Sequence, residues 1–195
     1  IHPTEDRIRY EIICRTPPAP DPVRLVTVVT ETLCLELANR GNRPRVDRPF
    51  RLIRVPWWLT AGLAQSVRGR DESLLELVRR SLDGGRPLTA AEILLLERAP
   101  ADPEQARRQL GFCWLFVEAL QSQDDGRGRL ARLLAMLGTA ASPPDALARV
   151  YGGDLAAAAS LERWWALQLA TRSSTVTPQN LAVRAALDKL AEILP

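Results

Sequence analysis

Histidine and cysteine carry most nucleophilic and metal-binding chemistry, and this chain is short of both. Its one histidine is His2, beside the first residue, and reads as a solvated end residue. Its cysteines, Cys14, Cys34 and Cys113, are widely spaced and set among apolar residues. That is neither a disulfide framework nor a zinc pattern. They read as small buried hydrophobes, with one disulfide plus one free thiol as the alternative. A catalytic zinc needs three protein ligands and an open position, and no His/Cys/Asp/Glu cluster has that spacing. Without an internal histidine, Ser-His and Cys-His nucleophile systems are missing too. Gly84-Gly85 and Gly152-Gly153 read as helix stops, and no phosphate-cradling loop occurs. Carboxylates remain. Asp124-Asp125 falls in a turn and reads as solvated. Glu36 is different, because it sits at the edge of an apolar stripe, where a carboxylate is partly buried and needs a partner. No metal and no cofactor is expected.

The elements that must position these residues are mostly helices. Arg7–Arg15 alternates at first, with Ile8, Tyr10 and Ile12 on one face, and reads as a half-buried strand. Phe50–Val55 is its candidate partner. Thr16–Pro22 is a proline-rich break. Val23–Arg40 is the first long helix. At about 100° per residue, Leu25, Val26, Val29, Leu33 and Leu37 form its apolar stripe, with Glu31 nearly opposite, on the solvent side. Gly41 ends it, and Asn42–Arg48 is a polar loop. A second helix starts at Pro56, with proline placed at its first turn. Asp71 opens a third, running to about Leu82. Thr89-Ala-Ala-Glu92 is a capping box before Ile93. Asp102 to about Gln121 is long, with a strongly apolar centre. Leu130–Leu137 and a helix from Pro143 follow. Asp154 is expected to cap a longer helix carrying Trp164 and Trp165, of which one reads as core and the other as a surface contact. A last helix is expected from Pro178 to Leu194.

The expected fold is mainly α, α+β at most, with one or two short N-terminal strands. A chain of 195 residues with 46% apolar side chains is one ordinary domain. Residues 1–22 are an N-terminal strand and proline-rich lead-in. They open on Ile1 rather than methionine and read as the remnant of a larger N-terminal part. Residues 23–195 are the helical domain. The net charge is +3 and Lys189 is the only lysine. The arginines are spread out and interleaved with acids, so no nucleic-acid patch forms. No apolar run reaches the ~18 residues that a membrane span needs.

One stretch carries a resemblance. Pro56–Gln65, PWWLTAGLAQ, resembles a segment of the gluzincin metallopeptidases, in particular the peptidase MA-like domains of bacterial proteins. There a helix with His-Glu-x-x-His is followed, after a loop, by a helix beginning Pro-x-Trp-Leu-x-Glu-Gly-Leu-Ala. In that family the two histidines and the second glutamate bind zinc, and the first glutamate is the general base. Pro56, Trp58, Leu59, Gly62, Leu63 and Ala64 match, while Ala61 stands at the zinc-binding glutamate. Upstream, Leu35-Glu36-Leu37-Ala38-Asn39 fits the first motif, with leucine and asparagine for the histidines and Glu36 as the vestigial general base. A competing register sets Thr30-Glu31-Thr32-Leu33-Cys34 there. The first is preferred because Glu31 falls on the solvent side. The similarity spans roughly Val23 to Leu169.

The resemblance implies the helical part of the gluzincin fold without zinc and without hydrolysis, a non-catalytic pseudo-peptidase. It implies a groove between the Val23 and Pro56 helices for a peptide or protein partner, with Trp57, Trp58, Glu36, Asn39 and Ala61 as binding positions. It is compatible with an extracytoplasmic setting in the cell envelope. Core packing is the competing account of the two tryptophans. The alternative for the whole chain is a helical protein-interaction module unrelated to peptidases, in which the two helices do not face each other at Glu36 and Ala61.

Overall fold

The computed structural model describes residues 2–3, 8–13, 21–42 and 52–173. Eight α-helices make up nearly all of it. They are α1 (Pro22–Asn39), α2 (Trp57–Arg68), α3 (Glu72–Asp83), α4 (Ala90–Leu94), α5 (Pro103–Gln121), α6 (Gly126–Met136), α7 (Pro143–Tyr151) and α8 (Ala158–Ser173). Among the described residues, the only strand pairing is a two-residue antiparallel ladder of β1 (His2–Pro3) and β2 (Ile8–Arg9). The partner of the first strand is therefore His2–Pro3. Leu52–Val55 joins no ladder. The fold is mainly α.

Local chemistry starts the helices where the sequence places the starts. Asp21, Asp71 and Asp102 accept from backbone N–H groups of α1, α3 and α5, satisfying donors that a helix start leaves open. Thr89 and Glu92 complete the capping box of α4. Two starts are closed by distant chain instead. The Trp57 and Trp58 N–H groups of α2 donate to the carbonyls of Glu97 and Leu96 at 3.2 Å each. The Glu162 carboxylate of α8 accepts from Ala90 and Ala91 at 2.9 and 2.8 Å, pinning α8 to the start of α4. Asp154 does not begin the last described helix. It lies in a 3-10 turn, Gly153–Leu155, entered at positive φ through Gly152 and Gly153, and α8 starts later, at Ala158. The expected helix from Pro178 lies outside the described residues.

Helix α5 is the central element, buried along most of Gly111–Leu120. Phe116 collects three indoles edge-on, with ring centres 5.6 Å away for Trp58, 5.8 Å for Trp164 and 5.2 Å for Trp165. Both Trp164 and Trp165 thus serve the core, Trp165 more deeply. Trp165 also donates to the Leu88 carbonyl at 2.8 Å. Helix α2 approaches α5 at Gly62, where an added Cβ would lie 2.6 Å from the Cys113 carbonyl oxygen and from Val117 Cγ2. On another side, α3 approaches at Gly111, where a Cβ would meet Val78 Cγ2 at 2.8 Å.

Helix α1 is turned largely away from its hydrophobic pattern. Three of the five expected core residues face outward, with Leu25 and Val29 each 38% exposed and Leu33 58% exposed, while Val26 and Leu37 are half-buried and Leu37 packs against the core. The inward face is Thr27, Glu31, Cys34 and Ala38, of which Cys34 joins the core with Trp58 and Leu59. Periodicity tells which residues share a face but not which face turns in. Cys34 and Ala38 are small and let α1 lie close to α2. The leucine stripe would hold it away.

Replacing Gly62 with alanine should strain the α2–α5 contact. The expected loss is about 1–3 kcal/mol, read as a lower urea midpoint with unchanged slope. A neutral result would mean that the two backbones separate freely.

Candidate functional site

The residues singled out by the Pro56–Gln65 stretch lie around the end of α1 and the start of α2. Asn39 occupies the last position of α1 and is buried. Its side-chain amide binds Ile53 as a strand would, donating to the Ile53 carbonyl and accepting from the Ile53 N–H, both at 2.9 Å. The same amide donates to the Leu35 carbonyl at 2.9 Å and accepts from Asn42 Nδ2 at 3.1 Å. Two donors and two acceptor bonds engage its amide nitrogen and oxygen. Asn39 therefore joins the α1 terminus to the extended Leu52–Val55 segment that leads into Pro56.

Leu35 contributes its carbonyl oxygen, which also accepts from the Tyr10 hydroxyl at 3.0 Å. Burial, reinforced by the Glu36 charge, pushes the Tyr10 hydroxyl pKa up. Ala61 and Trp58 are buried in α2, and Trp57 is half-buried against the core. Glu36 sits with the outward stripe. Both its oxygens accept from Arg40, Oε1 from Nε at 3.1 Å and Oε2 from Nη2 at 3.0 Å. This pair is largely exposed, so it contributes little stability.

Glu31 is the acid that the sequence places wrongly. It is half-buried on the inward face of α1, not on the solvent side, and burial pushes its carboxyl pKa up. Its neighbour Cys34 is raised to about 12, by burial first and then by the Glu31 charge. A thiol so raised stays protonated at neutral pH and is unreactive. Cys113 is likewise buried and free, with its pKa raised by burial, while Cys14 lies outside the described residues. The ground for preferring the Glu36 register is therefore gone, since it is the Thr30-Glu31-Cys34 set that brings an acid and a thiol to the inward face.

Neither register fits zinc. Leu35 and Ala61 offer no donor atom, and the Asn39 oxygen is taken by Ile53 and Asn42. Cys34 is a protonated thiol in the core. Among the described residues no group of three or more His, Cys, Asp or Glu side chains could hold a metal ion. No helix among them is long and apolar enough to cross a membrane.

No protein family, curated protein or solved structure matches the chain.

A second feature lies beside the Asn39 junction, and no sequence signal marks it. An open cleft of about 590 Å³ runs between the end of α1 and the end of α6. Leu37, Ala38, Ile53, Ala131 and Ala135 give it an apolar lining, and Arg40 and Arg132 border it.

Two variants test these assignments. Asn39→Ala leaves the Ile53 N–H and carbonyl without their side-chain partner and should cost about 1–3 kcal/mol in urea unfolding. A loss well below that would mean that water replaces the amide. For Glu31, the folded state holds the proton more tightly than the unfolded state. Stability therefore falls as pH rises from the ordinary glutamate range through the raised value. Glu31→Gln should melt above the parent at neutral pH and converge with it in acid. A parent that melts higher at neutral pH contradicts the assignment.

Proposed function

We propose that the chain is a non-catalytic domain of gluzincin-like ancestry that serves as a scaffold for binding a peptide or protein. The observation that carries this reading is Asn39. At a position where the resemblance calls for a metal-binding histidine stands a side chain whose amide is spent on the Ile53 backbone. A position once shared between fold and chemistry is given over to the fold. Ala61 supports the same reading. It is buried beside Gly62 in the tight α2–α5 contact, where a glutamate would be a buried charge. Rebuilding the motif with Leu35→His, Asn39→His and Ala61→Glu should therefore unfold the domain before it makes a metal site.

A second reading has one observation in its favour. Glu36 turns outward to Arg40 while Ala61 is buried, which suits a helical interaction module unrelated to peptidases. Glu31, the acid of the competing register, lies half-buried on the inward face of α1, but in that register Thr30 and Cys34 stand at the histidine positions and Asn39 lies outside the motif.

The test is metal content and peptidase activity of the full chain after incubation with zinc and dialysis. The expected result is no retained zinc and no chelator-sensitive cleavage of casein. One zinc held per chain, with cleavage abolished by Glu31→Gln or Glu36→Gln, would overturn the proposal.

A further inference from the structure

The cleft between α1 and α6 adjoins the motif, with Leu37 and Ala38 in its wall, but Leu35, Glu36, Asn39 and Ala61 do not line it. Its volume, about 590 Å³, is in the range of ligand sites, roughly 300–1,000 Å³. Three features of its wall restrict what it can hold.

The lining includes aliphatic side chains from both sides, Leu37 and Ile53 opposite Ala131 and Ala135. These favour aliphatic groups. Among the described residues no acid lines it, whereas Arg40 and Arg132 both do. Each arginine is paired with an acid of its own neighbourhood, Arg40 with Glu36 and Arg132 with Asp125 at 2.9 Å. Both pairs are exposed, and such pairs are worth about 0.2–1 kcal/mol, so they yield at little cost. They are also incomplete. Arg40 gives Nε and Nη2 to Glu36, and Arg132 gives Nη2 to Asp125. A guanidinium has five N–H donors, so each can take a further carboxylate.

The third feature is backbone. The cleft lies where α1 and α6 both end, at Arg40–Asn42 and at Gly138–Thr139. Helix C-termini present carbonyl acceptors, of which Asn39 O, Leu134 O and Met136 O are already taken by N–H groups of the following residues. Gly41 stands among them with open space where a side chain would be. A fatty acid has no donors to offer such a wall. A peptide main chain does.

We propose that this cleft binds a peptide segment in which acidic and aliphatic side chains alternate, its carboxylates meeting Arg40 and Arg132. This rests on the peptide-binding reading above and moves the binding site away from the α1–α2 junction, which is filled by core side chains.

The test is fluorescence anisotropy of the full chain with a fluorescein-labelled decapeptide of alternating leucine and glutamate. Its counterpart has glutamine for glutamate. The acidic peptide should bind saturably, and the glutamine peptide should bind at least ~10-fold more weakly, the loss of about 1.4 kcal/mol. Added salt should weaken the acidic peptide. Ala135→Trp fills the cleft from an exposed position of α6 and should weaken binding by a similar factor while the thermal melt stays unchanged. Arg132→Glu checks the charge independently. Equal binding of the two peptides, or binding that survives both variants, overturns the cleft, as does no saturable binding of the acidic peptide. If the anisotropy rises and then decays through chelator-sensitive cleavage, the cleft stands and the non-catalytic reading falls.

Discussion

The fold depends on two backbones touching. Gly62 lets α2 lie against the Cys113 carbonyl of α5, closer than any side chain would permit. That contact sets how closely the pair packs. One turn back, Trp58 packs against Phe116 at a steep interplanar angle. Just before it, Pro56 fixes the entry, with N–H groups at the helix start taken by Leu96 and Glu97. Phe116 in turn orients Trp164 and Trp165, and Glu162 on the same helix closes the start of α4. Aromatic pairs of this edge-on kind add about 0.5–1.5 kcal/mol each beyond the area they bury. Three of them meet on the single ring of Phe116.

Against that frame α1 is held differently. Its face toward the core is small and partly polar, and much of its aliphatic stripe, Leu25, Val29 and Leu33, is outside. Hydrophobic burial alone would favour turning these side chains in. Hydrogen bonds from Asn39 to Ile53 and from Tyr10 to the Leu35 carbonyl tie the helix as it stands. The cost is visible at Glu31, which this orientation carries into the half-buried face with a raised carboxyl pKa.

The sequence reveals what is decided locally. The aspartates at 21, 71 and 102, the Thr89–Glu92 box and the proline starts are short-range chemistry, and the helices begin there. The caps from Glu162 and from the Leu96 and Glu97 carbonyls were not legible, because they join chain segments far apart. The Asn39 clamp escaped for the same reason. Nothing in the sequence around Asn39 announces a bond to residue 53. Glu31 and Glu36 exchanged places because a helical wheel has no absolute orientation. The cleft arginines, Arg40 and Arg132, are ninety-odd residues apart in a chain full of arginine, so no spacing could have linked them.

These failures bear on how the motif positions are understood. Ala61 and Asn39 both serve the fold, one buried next to the Gly62 helix contact and the other clamping the segment that leads into α2. A histidine at 39 has a ring where the amide now makes four bonds, and a glutamate at 61 would place a charge among apolar neighbours. Building a metal site at these positions would require dismantling the junction that holds α1 to α2. The cleft at the ends of α1 and α6 is a separate surface of that junction. It needs the Asn39 junction, because Ile53 forms part of its wall and Asn39 holds Ile53 in place.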